Sequence, residues 1–320
     1  MKSRRLSSAT SPSIDLLARL LRRLLLGQLL VGALLGWLIA KLTGVSFWLV
    51  AATALLLPLA TTLLVVIASG IKSRAPGANA LWWRSLLSEY LASVQVFLWQ
   101  QPRARHFDVQ LAPAGLPPSS SSTVKSRIPV LLVHGYLCNH RVWDVMTRSL
   151  RRAGHPVMAL NLEPLFASID SYAPRIEQAV MELCHQTGAE KVALIGHSMG
   201  GLAIRAWMRA CGSDHVARVI TLGTPHAGTQ IAPRNPTANG KQMCWRSAWL
   251  QELAASETAA TRSLMRIALT PQDNIVYPQR EQVLEGVPIT VFEGLGHLEL
   301  CLSSAVVAWV LQQLDAVSPR

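Results

Sequence analysis

Acidic residues are nearly missing from the first 127 positions. Asp15, Glu89 and Asp108 stand there against 14 Lys and Arg, whereas residues 128–320 hold 15 acids and 16 bases. The formal net charge of +12 is therefore almost wholly a property of the N-terminal part. A nucleic-acid module carries its basic charge on the folded unit that meets the phosphates, so this distribution excludes that partner. The bases flank apolar runs instead, where Lys and Arg act as topology signals. Charge is scarce overall, at 15%, and half the chain is apolar, which departs from ordinary soluble composition. Cysteine supplies no framework either. Cys138, Cys184, Cys211, Cys244 and Cys301 are scattered and odd in number, with no C-x-x-C pair. That excludes a disulfide scaffold and zinc spacing, and leaves small buried thiols in a reducing compartment.

What is present begins with two uncharged apolar runs, residues 24–40 and 42–71. Crossing a bilayer takes about 17–25 apolar residues as a helix, so the second run spans comfortably and the first stands at the short limit. Pro58 is tolerated in a membrane helix, where neighbours re-satisfy the freed carbonyl. A cleaved signal peptide fits poorly, because the second run follows at once and no A-x-A site precedes polar sequence. A retained anchor is expected. Gly32 and Gly36 form one G-x-x-x-G, a pattern that lets helices approach closely but also arises from composition alone.

Lys2, Arg4, Arg5, Arg19, Arg22 and Arg23 precede the first run, and Lys72, Arg74 and Arg84 follow the second. The positive-inside rule then predicts a hairpin with both ends in the cytoplasm of a bacterial inner membrane. If the short first run lies in the interface, the second crosses alone and the rest faces outward. Residues 81–99 read as an amphipathic helix with Trp82, Leu86, Tyr90 and Phe97 on its apolar stripe. It suits either a headgroup layer or packing on a folded domain. Residues 112–127, rich in Pro and Ser, read as a linker. The expected organisation is a membrane-anchoring helical region at 1–111, that linker, and a catalytic domain at 128–320.

In the last part, strand-like apolar runs at 129–133, 156–160, 192–195, 219–222 and 289–292 alternate with helix-like stretches at 143–153, 172–187, 202–211 and 303–314. Such alternation implies an α/β domain, a mostly parallel sheet covered by helices on both faces.

Gly196-His197-Ser198-Met199-Gly200 fits G-x-S-x-G. The pentapeptide alone arises by chance in roughly one chain in ten of this length at average composition. Its setting between a buried strand and a helix is what a nucleophile elbow requires. A serine hydroxyl needs a base, and the base an orienting acid. On this strand–turn–helix plan the acid and histidine follow in that order, and Asp273 and His297 lie in loops suited to deliver them. Glu293, Glu299 and Asp214 are weaker acids for the role by position. His134, His197 and His226 are expected to be structural or to line a pocket. An oxyanion hole needs two backbone N–H groups, assigned by position to Met199 and Tyr136.

Four blocks together resemble the bacterial triacylglycerol lipases of the α/β-hydrolase superfamily, in particular the small, nearly lidless lipase/esterase group. They are Leu132-Val133-His134-Gly135-Tyr136; Ile195-Gly196-His197-Ser198-Met199-Gly200-Gly201; Thr221-Leu222-Gly223-Thr224-Pro225-His226-Ala227-Gly228-Thr229; and residues 294–304, with Gly294-Leu295-Gly296-His297 and Ser303-Ser304. The resemblance implies hydrolysis of an acyl ester, a lipid among them, through an acyl-serine intermediate, with no organic cofactor. Some relatives hold a structural calcium, but no acidic cluster stands near His297. Acyl transfer or thioester cleavage by the same triad remains open, as does a membrane accessory protein whose hydrolase domain is vestigial. Residues 229–262 form either a small apolar flap or packed helix.

Overall fold

The structure, a computed structural model, describes residues 15–44, 48–74, 80–104, 127–231 and 235–317. The linker expected at 112–127 lies outside the described residues but for Arg127.

Two long helices open the chain, α1 (Leu16–Thr43) and α2 (Trp48–Ser73). Asp15 starts α1 by accepting the Ala18 N–H at 2.8 Å, one of the donors a helix leaves unpaired at its start. Gly44, at φ +72°, ends it with its N–H on the Ala40 carbonyl, a left-handed cap that glycine adopts without steric cost. The first apolar run, residues 24–40, is the middle of a longer helix. The helix continues back through Arg23, Arg22 and Arg19 to Leu16, 28 residues in all, or roughly 42 Å at 1.5 Å per residue. Both helices are long and apolar enough to cross a membrane.

They pack as a hairpin, and the G-x-x-x-G is its seam. A Cβ on Gly32 would stand 2.6 Å from the Thr53 carbonyl oxygen and 2.8 Å from the Ala54 Cα. One on Gly36 would fall on the Thr53 side chain and 2.7 Å from the Val50 Cα. Only hydrogen lets the backbones come this close. Further along, Gln28 Nε2 donates to Thr61 Oγ1 at 3.1 Å.

The next helix, α3 (Ala80–Ser93), runs on into a widened π-helical stretch, Val94–Gln100. One face buries Trp82, Leu86, Glu89, Ala92 and Val96, and Ala92 and Val96 join the core beneath the sheet. Of the two placements open for 81–99, packing on the domain is the one adopted. The opposite face leaves Trp83, Leu87, Leu91 and Trp99 exposed.

Among the described residues, six parallel strands form one sheet: β1 (Val130–Val133), β2 (Val157–Leu160), β3 (Val192–His197), β4 (Val216–Leu222), β5 (Met265–Leu269) and β6 (Ile289–Val291). Their order is β2-β1-β3-β4-β5-β6. The helices between and after them are α4 (Asp144–Arg152), α5 (Ala173–Thr187), α6 (Met199–Cys211), the short α7 (Ala238–Gln242), α8 (Ala248–Ala255) and α9 (Ala259–Ser263), and α10 (Ser304–Asp315). Alternate strand residues serve opposite cores. Leu131, Val133 and Leu194 meet α5 and α6, while Val130, Leu132 and Ile195 meet α4 and α10. A parallel sheet needs both faces covered, as expected from the alternation. β5 is an addition to that expectation: Arg266 interrupts its short apolar run, Met265-Arg266-Ile267-Ala268-Leu269. The described residues within 229–262 include α7, α8 and most of α9, and Leu250 and Leu253 of α8 pack into the core.

Strand order reverses between β1 and β3, and a crevice opens at such a point beyond the carboxyl ends of the strands. The loop after β1 and the turn after β3 face each other there: a Cβ on Gly135 would lie 2.7 Å from the Ser198 Cβ.

The seam gives a test of the hairpin. Leucine at Gly32 overpacks a close crossing, which typically costs about 1–3 kcal/mol. A cysteine pair replacing Gln28 and Thr61 is expected to crosslink readily in the parent chain and far more slowly with Gly32→Leu. Equal crosslinking rates would contradict the seam.

Candidate active site

Ser198 sits between β3 and α6 with φ +53° and ψ −128°, a region that costs a residue with a side chain of order 1–3 kcal/mol and persists only when its surroundings enforce it. The surroundings here are close-packed backbones. A Cβ on Gly196 would come 2.5 Å from the Gly201 nitrogen, and one on Gly200 would collide with the Val133 carbonyl oxygen. The two glycines let β3, the turn and α6 fold this tightly. The Ser198 N–H is anchored to the Leu222 carbonyl at 2.9 Å. Met199 is the first residue of α6, so the serine stands at the positive end of a helix.

Asp273 and His297 come together from loops 24 residues apart in sequence. The turn after β5 folds so that Asp273 Oδ1 accepts the N–H groups of Ile275 (2.8 Å) and Val276 (2.7 Å). That aims Oδ2 at His297, whose Nδ1–H donates to it at 2.8 Å. A carboxylate only accepts, so the proton lies on Nδ1 and Nε2 is left as the basic nitrogen. Both groups are buried. Burial alone would lower the pKa of His297. The charge and hydrogen bond of Asp273, with the charge of Glu89, outweigh it and hold the imidazole above its ordinary value. Ser198 and His297 line one cavity of about 360 Å³.

His134, His197 and His226 each hold hydrogen-bond partners outside the Asp273–His297 side-chain pair, and His197 also lines the cavity. His134, which burial pushes down to about 4, accepts the Leu162 N–H on Nε2 at 2.9 Å and donates from Nδ1 to the Gly135 carbonyl, pinning the loop after β1. His197 donates from Nε2 to the His297 carbonyl at 3.1 Å. His226 accepts from buried Arg205 and reaches Thr221 Oγ1 at 3.0 Å. Of the positional assignments, Tyr136 lines the cavity and Met199 heads the helix. Glu299, a rival acid, instead accepts the Gly296 N–H and the Ser88 hydroxyl.

Sequence reasoning missed what the N-terminal helices bring. Val65, Val66 and Ser69 of α2, with Glu89, Ser93 and Phe97, line the same cavity as Ser198. Ser69 Oγ accepts from Asn274 Nδ2 at 2.9 Å, and Asn274 Oδ1 accepts the His297 N–H at 3.4 Å. Glu89 accepts the Leu298 N–H at 2.9 Å and the Glu299 N–H at 3.3 Å. Burial pushes its carboxyl up to about 7, against the opposing pull of His297. One signal was available: Glu89 is the sole acid between positions 16 and 107, and an acid buried in a largely apolar stretch is a candidate for a perturbed, site-lining group.

Residues 129–277 match the palmitoyl protein thioesterase family. The chain is 39% identical over 116 residues to a triacylglycerol lipase of Pseudarthrobacter phenanthrenivorans, covering 33% of this chain and 36% of that one. It is equally identical over the same length to a triacylglycerol lipase of Burkholderia plantarii, covering 33% and 32%. The chain thus spans about a third of the length of these curated relatives. Among solved structures, a mature Bacillus licheniformis lipase superposes with a TM-score of 0.53 at 16% identity, over 62% of this chain and 96% of that one. Lipase B of Aspergillus fumigatus does so at 0.52 and 16%, over 63% and 56%. The fold is that of an α/β-hydrolase. The matched family segment ends at residue 277, so it includes Ser198 and Asp273 and stops before His297. The hairpin and α3 lie outside it.

Replacing Glu89 by Gln keeps an acceptor for the Leu298 N–H and removes the negative charge that favours imidazolium at His297. The His297 midpoint in an NMR titration is expected to move to lower pH in Glu89→Gln. An unchanged midpoint would show that the two groups are not coupled.

Proposed function

We propose that this protein is a serine hydrolase that cleaves the carboxylic esters of lipids, held at a membrane by its α1–α2 hairpin. The observation that carries the reading is the strained Ser198 turn sharing one cavity with a His297 already oriented by Asp273. Ser198 Oγ attacks the ester carbonyl as His297 Nε2 takes its proton. Asp273 stabilises the resulting imidazolium without itself being protonated. The N–H groups of Met199 and Tyr136 stabilise the oxyanion, each such donor being worth about 10²–10³ in turnover. His297 then protonates the departing alcohol, and the acyl-serine remains. Water, deprotonated by the same imidazole, releases the carboxylic acid and restores Ser198.

Several features support the membrane part of the reading. Leu30, Leu34 and Leu42 of α1 and Leu55, Leu56 and Leu64 of α2 are exposed, a larger apolar surface than a monomer leaves in water. Arg19, Arg22, Arg23, Lys72 and Arg74 gather at one end of the hairpin and Lys41 stands at the other, which fits both ends lying on the cytoplasmic side. The apolar face of α3 at Trp83, Leu87 and Leu91 suits the headgroup layer beside it. Resemblance to named triacylglycerol lipases supports a lipid ester as substrate. The palmitoyl protein thioesterase match favours a second reading, cleavage of a fatty acyl thioester by the same groups.

Hydrolysis of p-nitrophenyl esters by the full chain tests the reading. Ser198→Ala is expected to cut kcat by roughly 10⁴–10⁶-fold, as loss of the nucleophile does in other serine hydrolases. Equal rates in the two proteins would rule it out. Side-by-side kcat/KM values on a palmitoyl ester and the matching palmitoyl thioester decide between the two substrate classes.

A further inference from the structure

The cavity at Ser198 does not end inside the hydrolase domain. A second hollow, of about 290 Å³, lies between α1, α2 and the π-helical stretch after α3. Val65, Val66, Ser93, Phe97 and Leu137 line both, so the two adjoin across these side chains. Along α1 the second hollow runs from Leu17 to Gln28, roughly 16 Å at helical rise. Leucines at positions 17, 20, 21, 24 and 25 form that wall. The polar groups at its far end are satisfied: Gln28 donates to Thr61, and the Thr61 and Thr62 hydroxyls donate to the Pro58 carbonyl. Nothing there asks for a polar ligand. Leu24 is 55% and Val65 65% exposed, so the groove opens sideways, on the surface of the hairpin.

We infer that this groove is the acyl site: a fatty chain of a bilayer lipid lies between α1 and α2 while its ester carbonyl reaches Ser198. The inference rests on the ester-hydrolase reading and says where that substrate enters. Substrate then passes laterally from the hydrocarbon layer, and its chain stays in apolar surroundings throughout. The hairpin is part of the substrate site as well as an anchor. Chain-length preference is set by α1 and α2, which lie outside the family match.

The test uses the full chain in phosphatidylcholine vesicles and a hexadecyl fluorophosphonate bearing a diazirine near the end of its chain. Attack of Ser198 Oγ on phosphorus expels fluoride and fixes the alkyl chain in place. Illumination then tags what the chain touches. Tagged peptides are expected from α1 and α2, around Leu24 and Thr62. Phosphonylated Ser198 with tags confined to the hydrolase domain, at Ile231, Met243 or Val276, would overturn the inference and leave the hydrolase reading standing. Unmodified Ser198 would overturn both.

A substitution series gives an independent reading. Thr62→Trp fills the groove and is expected to lower the ratio of kcat/KM for p-nitrophenyl palmitate over butyrate by about tenfold or more, since even one methylene is worth roughly 10–200-fold in an apolar pocket. Leu30→Trp, on the outward face of α1, is expected to leave that ratio alone. An unchanged ratio in both variants would also overturn the inference.

Discussion

The Asp273–His297 hydrogen bond is the contact on which the site depends. Both side chains are almost wholly buried, Asp273 at 2% exposure and His297 at 4%. An imidazole taken out of water loses basicity, and a carboxylate beside it restores that basicity. Low dielectric strengthens the pair, and it also makes any unpaired partner costly. Each piece of surrounding structure therefore fixes one of the two groups. The turn after β5 spends two N–H groups on Asp273, while His197 and Asn274 hold the backbone of His297. Ser198 is fixed independently, by the backbone crowding around Gly196 and Gly200.

The sheet and its helices are not self-sufficient in this respect. The loop bearing His297 is capped by Glu89, and Asn274 is bonded by Ser69. Asp15, at the start of α1, accepts from Asn161, and Gln279 Nε2 donates to the Ser73 carbonyl at 2.9 Å. Buried polar contacts of this kind specify geometry more than they add stability. They join the helices that carry the exposed apolar surface to the residues that orient the histidine.

Much of this was legible in the sequence. The alternation of apolar runs and amphipathic stretches identified five of the six strands, and the elbow stood out once its flanking strand and helix were read with it. Asp273 and His297 followed from chain order. The losses have physical causes. β5 was hidden because one arginine in a five-residue strand destroys the apolar signal. α1 reaches beyond its apolar run because Arg19, Arg22 and Arg23, a charged flank in the sequence, continue the same helix. Glu89 lies 209 residues from its partner Leu298, beyond any local pattern, and the Gly32–Gly36 seam was indistinguishable from composition until the facing helix was seen.

The central claim is that Ser198 is a nucleophile activated by His297. It is tested most directly by mass-spectrometric mapping of the residue modified when the membrane-reconstituted chain meets a small fluorophosphonate. A single phosphonyl adduct on Ser198, formed quickly in the parent protein and lost in His297→Ala, is the predicted result. An unmodified Ser198, or an adduct that forms equally fast without His297, would contradict the account.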